Sequence, residues 1–252
     1  MESLADNFFR YFISRYAASH HQKQISYSIR HQVYAEELGW EPISHRQLET
    51  DQFDDYAHPC LLEHKRTGDI AGCVRLVVPQ TERLDIYHPY QQHPIEDINT
   101  HHIGQLSPTE IGEISRLAVP NQFRRRANEQ GKPFIFEHGS SKTVFNEDEQ
   151  RNFPHIAIGL YLSAIAMVEL CDLELVLVVM EPRLMRHLKR FGICFHQISA
   201  TFDFNGERAL FELPRSELTL HLKSQVKELY QLILMSLMHQ PWHEHQINIQ
   251  AS

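Results

Sequence analysis

Ile111-Gly112-Glu113-Ile114-Ser115-Arg116-Leu117-Ala118-Val119, with Phe123-Arg124-Arg125-Arg126 close behind, is the stretch whose reading decides the fold. Residues 112–119 form a largely apolar, strand-forming run, yet Glu113 and Arg116 sit inside it. A buried strand accepts charges only when they are paired or used, because an unpaired charge in low dielectric is costly. In a regular strand, residues three apart point to opposite faces. Glu113 and Arg116 are therefore expected not to pair with each other, and each needs a partner elsewhere in the chain.

The 252 residues, 42% hydrophobic and 22% charged, have ordinary globular composition and suffice for one large domain. A net charge of -8 argues against a general nucleic-acid binder. Cys60, Cys73, Cys171 and Cys194 are far apart and form no C-x-x-C pair, which fits reduced, buried thiols rather than disulfides or a zinc site. Met1 to Arg15 has no apolar signal core, and no stretch approaches the ~18 apolar residues of a membrane span, so a cytoplasmic protein is expected. The eighteen histidines include His20-His21, His101-His102 and the trio His239, His243 and His245, without metal-ligand spacing. They read as solvated, and no metal is expected.

Upstream, Phe8, Phe9, Phe12, Ile13 and Tyr16 make a helical stripe, and a second helix is expected over Ser26–Leu38, stopped by Gly39. Arg30 on that helix reads, on its own, as a snorkelling surface arginine. The polar segment Trp40–Asp55 carries Glu49, Asp51, Asp54 and Asp55. Such a run is usually a solvated loop, but its spacing also suits clamping an arginine or an amine. Cys60–Lys65 and Ile70–Val78 read as a hairpin around Arg66-Thr67-Gly68-Asp69, with Arg75 set in an apolar strand as a candidate partner for Glu113, Asp51 or Asp54.

Residues 79–108 read as a long irregular connection, the kind that often carries function. Downstream, a helix over Pro154–Cys171 and a continuous apolar run at Leu173–Met180, suited to a buried parallel strand, precede a helix opened by Pro182 and stopped at Gly192. Strands are expected at Ile193–Ile198 and Arg208–Leu213, flanking Asn205-Gly206, then a helical pattern over Glu217–Met238. The organisation expected is a domain over 1–215, an appended C-terminal helix over 216–240 that packs on it or makes a homodimer contact, and a disordered tail over 241–252.

The order of these elements resembles the GNAT superfamily of acyltransferases, and more narrowly its acyl-homoserine-lactone synthase and N-acyl amino acid synthase branch. The matching residues, in order, are Arg30, Tyr34, Trp40, Glu49, Asp51, Asp54, Arg75, Glu113 and Arg116. Glu-x-Asp-x-Phe-Asp, Glu-Ile-Ser-Arg-Leu-Ala-Val with Phe-Arg-Arg-Arg, Met180-Glu181-Pro182-Arg183-Leu184 and Phe191-Gly192-Ile193 are similar to acyltransferases associated with the exosortase and PEP-CTERM protein-sorting system.

The resemblance implies an α/β (α+β) fold of the GNAT-like acyl-CoA N-acyltransferase type, a mixed central sheet flanked by helices, with an extra C-terminal helix. It implies Glu113 either as the base that takes a proton from an amine, directly or through a water, or as a residue that only holds Arg30 or Arg75 in place. Arg30, Tyr34, Trp40, Glu49, Asp51, Asp54, Arg75 and Arg116 would form a substrate-binding or active-site polar network, with Arg75 and Arg116 available for an acceptor carboxylate or for the acids of that network. Leu117, Ala118 and Val119 would form the acyl-donor strand that receives the oxyanion.

The superfamily's Gly-rich pyrophosphate loop has no counterpart over Gln122–Gly131, which favours an acyl carrier protein over coenzyme A as donor. Arg124, Arg125 and Arg126, with Arg183, Arg186, Lys189 and Arg190, are offered as its basic docking surface, against the alternative of a solvated basic loop. The function implied is an N-acyltransferase moving a fatty acyl group from that thioester to an amino acid or similar small amine, with no bound cofactor. The alternatives are a homoserine-lactone synthase using S-adenosylmethionine, and a catalytically silent acyl-thioester or lipid sensor.

Overall fold

The computed structural model describes residues 3–81, 86–124 and 154–242. A mixed sheet runs in the order β1-β2-β3-β4-β5-β8-β6, with β7 paired to β8 beside this path. The strands are β1 (Phe12–Tyr16), β2 (Ala57–His64), β3 (Ile70–Val77), β4 (Ile111–Ala118), β5 (Leu175–Met180), β6 (His196–Gln197), β7 (Phe202–Asp203) and β8 (Glu207–Pro214). Every pairing is antiparallel except β4 with β5, so the apolar run at 175–180 is the parallel strand its composition suggested. A mixed sheet flanked by helices is the architecture that the resemblance implied.

The helices are α1 (Leu4–Tyr11), α2 (His20–Arg30, continuing in π-helical form over His31–Glu37), α3 (Pro154–Leu170), α4 (Pro182–Lys189) and α5 (Ser224–Met238). Ser3 and Ser19 open α1 and α2 with capping boxes that satisfy the first free amides. A parallel pair needs a crossover, and α3 provides it between β4 and β5, lying against β2 and β3 with α1 and α5 beside it. The opposite face of β3 is covered by α2. Among the described residues, no helix is long and apolar enough to cross a membrane.

Several expectations need correction. The stripe from Phe8 to Tyr16 is not one helix: α1 ends at Tyr11, and Phe12–Tyr16 pairs with β2 as an edge strand. Phe12, Ser14 and Tyr16 alternate inward, and the buried Ser14 hydroxyl meets that of Ser163 on α3 at 2.9 Å, so the period of two prevails over 3.6. Ordered strand at 193–198 is confined to His196–Gln197. Histidines 31, 58, 64 and 88 are buried rather than solvated.

The terminal helix is part of the main core: Val226, Leu229, Tyr230, Ile233 and Leu237 are buried in it, leaving Leu232, Met235 and Met238 exposed. Trp242, assigned to the disordered tail, is buried in the same core, while residues 243–252 lie outside the described residues.

Candidate active site

The site begins with a break in the pairing of β3 and β4. Cys73 faces Ala118 and Arg75 faces Ser115, so Arg116 and Leu117 oppose Val74 alone. Two residues against one make a β-bulge, and Arg116 absorbs it with a left-handed φ of 51°. The bulge changes which side chains share a face. Ile114, Leu117 and Val119 point into the core under α3. Ser115 and Arg116 point to the α2 side, as does Glu113, two residues before Ser115. The expectation that Glu113 and Arg116 must face opposite ways is therefore wrong, because it assumes a regular strand.

On the α2 side, three arginines meet four carboxylates. Arg30, at the α-to-π junction of α2, is fully buried, correcting its reading as a surface residue. It donates to Asp54 at 2.6 and 3.1 Å and pairs through Nε with Glu49. Arg75 on β3 holds Asp51 at 2.5 and 2.9 Å, Asp54 at 2.8 Å and the Ser115 hydroxyl at 3.1 Å. Arg116 reaches Glu49 at 3.2 Å, Glu41 at 3.3 Å and Asp51 at 3.4 Å. Within the polar run 40–55, Glu49, Asp51 and Asp54 are thus turned toward the arginines, while His45, Arg46 and Asp55 stay exposed. Asp51 caps the short helix Gln52–Tyr56 by accepting from the Phe53 amide at 2.9 Å, which brings Asp54 to both Arg30 and Arg75.

Burial alone would raise the Asp54 carboxyl, but Arg30 and Arg75 hold it down to about 2. Asp51 is likewise lowered, its desolvation outweighed by Arg75. Burial opposes the charge on Arg30, yet Glu49 and Asp54 raise its pKa above the ordinary value. These groups stay ionised because each faces a partner.

Glu113 behaves differently. It lies on β4 between Val77 of β3 and Leu177 of β5, with 2% of its surface exposed. Its carboxylate accepts the Tyr90 amide at 2.9 Å, from the short helix Pro89–Gln92 in the long connection. Burial pushes its pKa up to about 8, against that hydrogen bond and the more distant Arg75 and Arg116. Arg75, a candidate partner for Glu113, makes its bonds to the acids and Ser115 instead.

Beside Glu113 lies a solvent-open cleft. Its floor forms where the pairing of β4 and β5 stops at Ile114 and Val178. Leu117, Tyr161, Met180 and Leu184 give it an apolar side. Tyr34 and Trp40 form another wall: Gly39, at φ 67°, turns the chain so that the Trp40 amide bonds the Tyr34 carbonyl at 2.8 Å, with the rings stacked 6.1 Å apart. The Tyr34 hydroxyl donates to the Leu117 carbonyl at 2.7 Å and fixes the bulge.

Of the donor strand, Leu117 lines this cleft, whereas Ala118 faces α2 and Val119 packs into the core. Arg124 is buried and pairs with Glu37, so it is not a surface docking residue, and Arg125 and Arg126 lie outside the described residues. Sequence reading missed Glu41, Ser115, Tyr90, His93, Tyr161 and Arg208, which complete the network or line the cleft. Glu41, next to Trp40, had a local signal; Tyr90 contributes only its backbone and had none.

Residues 29–131 match the family profile of the acetyltransferase (GNAT) domain. An acyl-homoserine-lactone synthase of Pseudomonas aeruginosa is 30% identical over 95 residues, 36% of this chain and 42% of that protein. The match thus spans less than half the length of that curated relative. The fold is similar to the crystal structure of TofI in a ternary complex with an inhibitor and MTA, at 18% identity and a TM-score of 0.55, covering 86% of this chain and 99% of TofI. The AHL synthase LasI gives 15% identity and a TM-score of 0.52, covering 84% and 94%. FeeM, an N-acyl amino acid synthase from uncultured soil microbes, gives 11% and 0.51, again covering 84% and 94%.

Proposed function

We propose that this chain is an N-acyltransferase that moves a fatty acyl group from an acyl carrier protein thioester to the amine of an amino acid or similar small acceptor. The observation that carries this reading is Glu113: a buried carboxyl with pKa about 8, at the head of a cleft whose other side is apolar. A base poised near neutral pH suits deprotonation of an amine. In this reading the acyl chain follows Leu117, Val178, Met180 and Leu184, and the thioester carbonyl sits against the bulge. The amine nitrogen attacks the carbonyl carbon, the amine proton passes to Glu113, and the carbon–sulfur bond breaks; the departing thiolate takes up that proton and leaves as the carrier thiol. Backbone amides at Arg116 and Leu117 would hold the oxyanion, where electrostatic stabilisation is most effective.

The missing Gly-rich loop favours a carrier protein, with Arg183, Arg186, Lys189 and Arg190 on and just after α4 as its docking surface. The sequence motifs at 180–184 and 191–193 favour the branch associated with the exosortase and PEP-CTERM system. A second reading, a homoserine-lactone synthase using S-adenosylmethionine, is supported by the 30% identity to such an enzyme over 95 residues.

Incubation with acyl carrier protein thioesters and a panel of amino acids, or S-adenosylmethionine, separates these readings. Release of free carrier thiol with an N-acyl amino acid in the mass spectrum is expected, and Glu113→Gln should slow it by about 10²–10⁴-fold. Accumulation of lactone would select the second reading, and no thiol release with any acceptor would sink both.

A further inference from the structure

A continuous stack runs along one wall of the cleft. Arg116 lies over the Tyr34 ring at 5.7 Å, Tyr34 stacks on Trp40 at 6.1 Å, and Arg208 lies over Trp40 at 5.5 Å. All four residues line the cleft. The two arginines that end the stack differ in charge balance. Arg116 is surrounded by Glu41, Glu49 and Asp51. Among the described residues Arg208 has one carboxylate partner, Glu181, 3.4 Å from Nη1, while its Nε and Nη2 donate to the neutral carbonyls of Phe204 and Asn205, each at 3.1 Å.

A guanidinium has five N–H donors, so these contacts leave Arg208 with donors to offer. It is only 7% exposed, and a desolvated cation with one long ion pair is stabilised by a further anion. The carbonyls that hold it belong to its own hairpin, turned by Asn205 and Gly206 at φ 52° and 104°. The Phe204 ring in turn packs 4.2 Å from His93 on the other lip. Arg208 is therefore fixed in place before any ligand arrives, which suits planar recognition of an oxyanion. Arg75 and Arg116, the sequence candidates for an acceptor carboxylate, are already matched by acids.

We infer that Arg208 binds an anionic group of a substrate in the cleft, the carboxylate of an amino-acid acceptor or the phosphate of the donor's phosphopantetheine arm. The identity of those substrates rests on the acyl-transfer reading; the anion preference rests on the cleft.

Calorimetric titration tests it with two pairs of probes, each an anion with a neutral counterpart: an N-acylglycine against its methyl ester, and 4′-phosphopantetheine against pantetheine. Arg208→Met should weaken the anionic member of one pair by about 10–100-fold, the range of a charge-assisted hydrogen bond, and leave its neutral counterpart unchanged. The affected pair identifies the carboxylate or the phosphate as the ligand. Arg208→Lys, which keeps the charge, should recover part of the loss. Opening of the hairpin would weaken both members alike. Equal weakening, unchanged affinity, or no binding of either anion by the unmodified protein overturns the inference. Binding that depends on Arg208 without any thiol release would instead sink only the acyl-transfer reading.

Discussion

Glu113 and Asp54 are both buried carboxyls, and their environments push them in opposite directions. Asp54 faces two guanidiniums and falls to about 2; Glu113 has one backbone amide and rises to about 8. The linkage signs follow. Between about 4.5 and about 8 the folded state binds more protons at Glu113 than the unfolded chain does, so this group's contribution to stability declines as pH rises through that window. Asp54 contributes stability that is present above about 3.8 and lost as pH falls towards about 2. Glu113→Gln should therefore gain stability over the parent as pH is raised from 5 to 9, with little relative change below pH 4, in urea unfolding followed across pH. A constant difference at every pH would contradict a raised Glu113 pKa. The presence of a polar network was legible from Arg30, Asp51, Asp54, Arg75 and Arg116 in sequence, but partner assignment was not. Any of those arginines could have met any of those acids until the capped turn at Gln52–Tyr56 fixed Asp54 between two of them.

At the scale of the element, the bulge in β4 is the decisive device. It adds one residue between Arg75↔Ser115 and Cys73↔Ala118, and so turns Glu113, Ser115 and Arg116 toward one side while keeping Leu117 and Val119 in the core. Arg116 stays in the left-handed region through three carboxylates and the Tyr34 ring. Replacement by alanine and by glycine removes the same ion pairs, but only alanine retains the steric cost of that backbone, about 1–2 kcal/mol. Arg116→Gly is thus expected to be the more stable of the two by roughly 1 kcal/mol in chemical denaturation. Equal stability, or the reverse order, would mean that the bulge relaxes when the arginine is lost. The strand itself was readable from its apolar pattern. The bulge was not, because no glycine or proline marks it and its register depends on β3.

For the whole molecule, the terminal helix tests whether the chain is one cooperative unit. Leu229 is fully buried in the core shared by α1, α3 and α5, whereas Met235 on the same helix is 55% exposed. Leu229→Ala should cost about 2–5 kcal/mol and lower the single unfolding transition of the entire chain. Met235→Ala should change stability by no more than about 0.5 kcal/mol. If Leu229→Ala instead produces a separate early transition with the rest unaffected, the helix is an appendage after all. Its amphipathic pattern was plain from Val226, Leu229 and Ile233, but a pattern names a buried face without naming what buries it.

The sequence by itself determined most of the alternation of strands and helices, the parallel strand at 175–180, and the unusual charges at positions 75, 113 and 116, because periodicity and composition are local properties. Only the tertiary structure decided that Phe12–Tyr16 is an edge strand, that Glu113 and Arg116 share a side, that Arg124 is buried against Glu37, and that Arg208 closes the aromatic stack at the cleft. Each of these depends on which strand or loop lies alongside. Desolvation and Coulomb pairing act between neighbours in space, and the fold brings those neighbours together from distant parts of the chain.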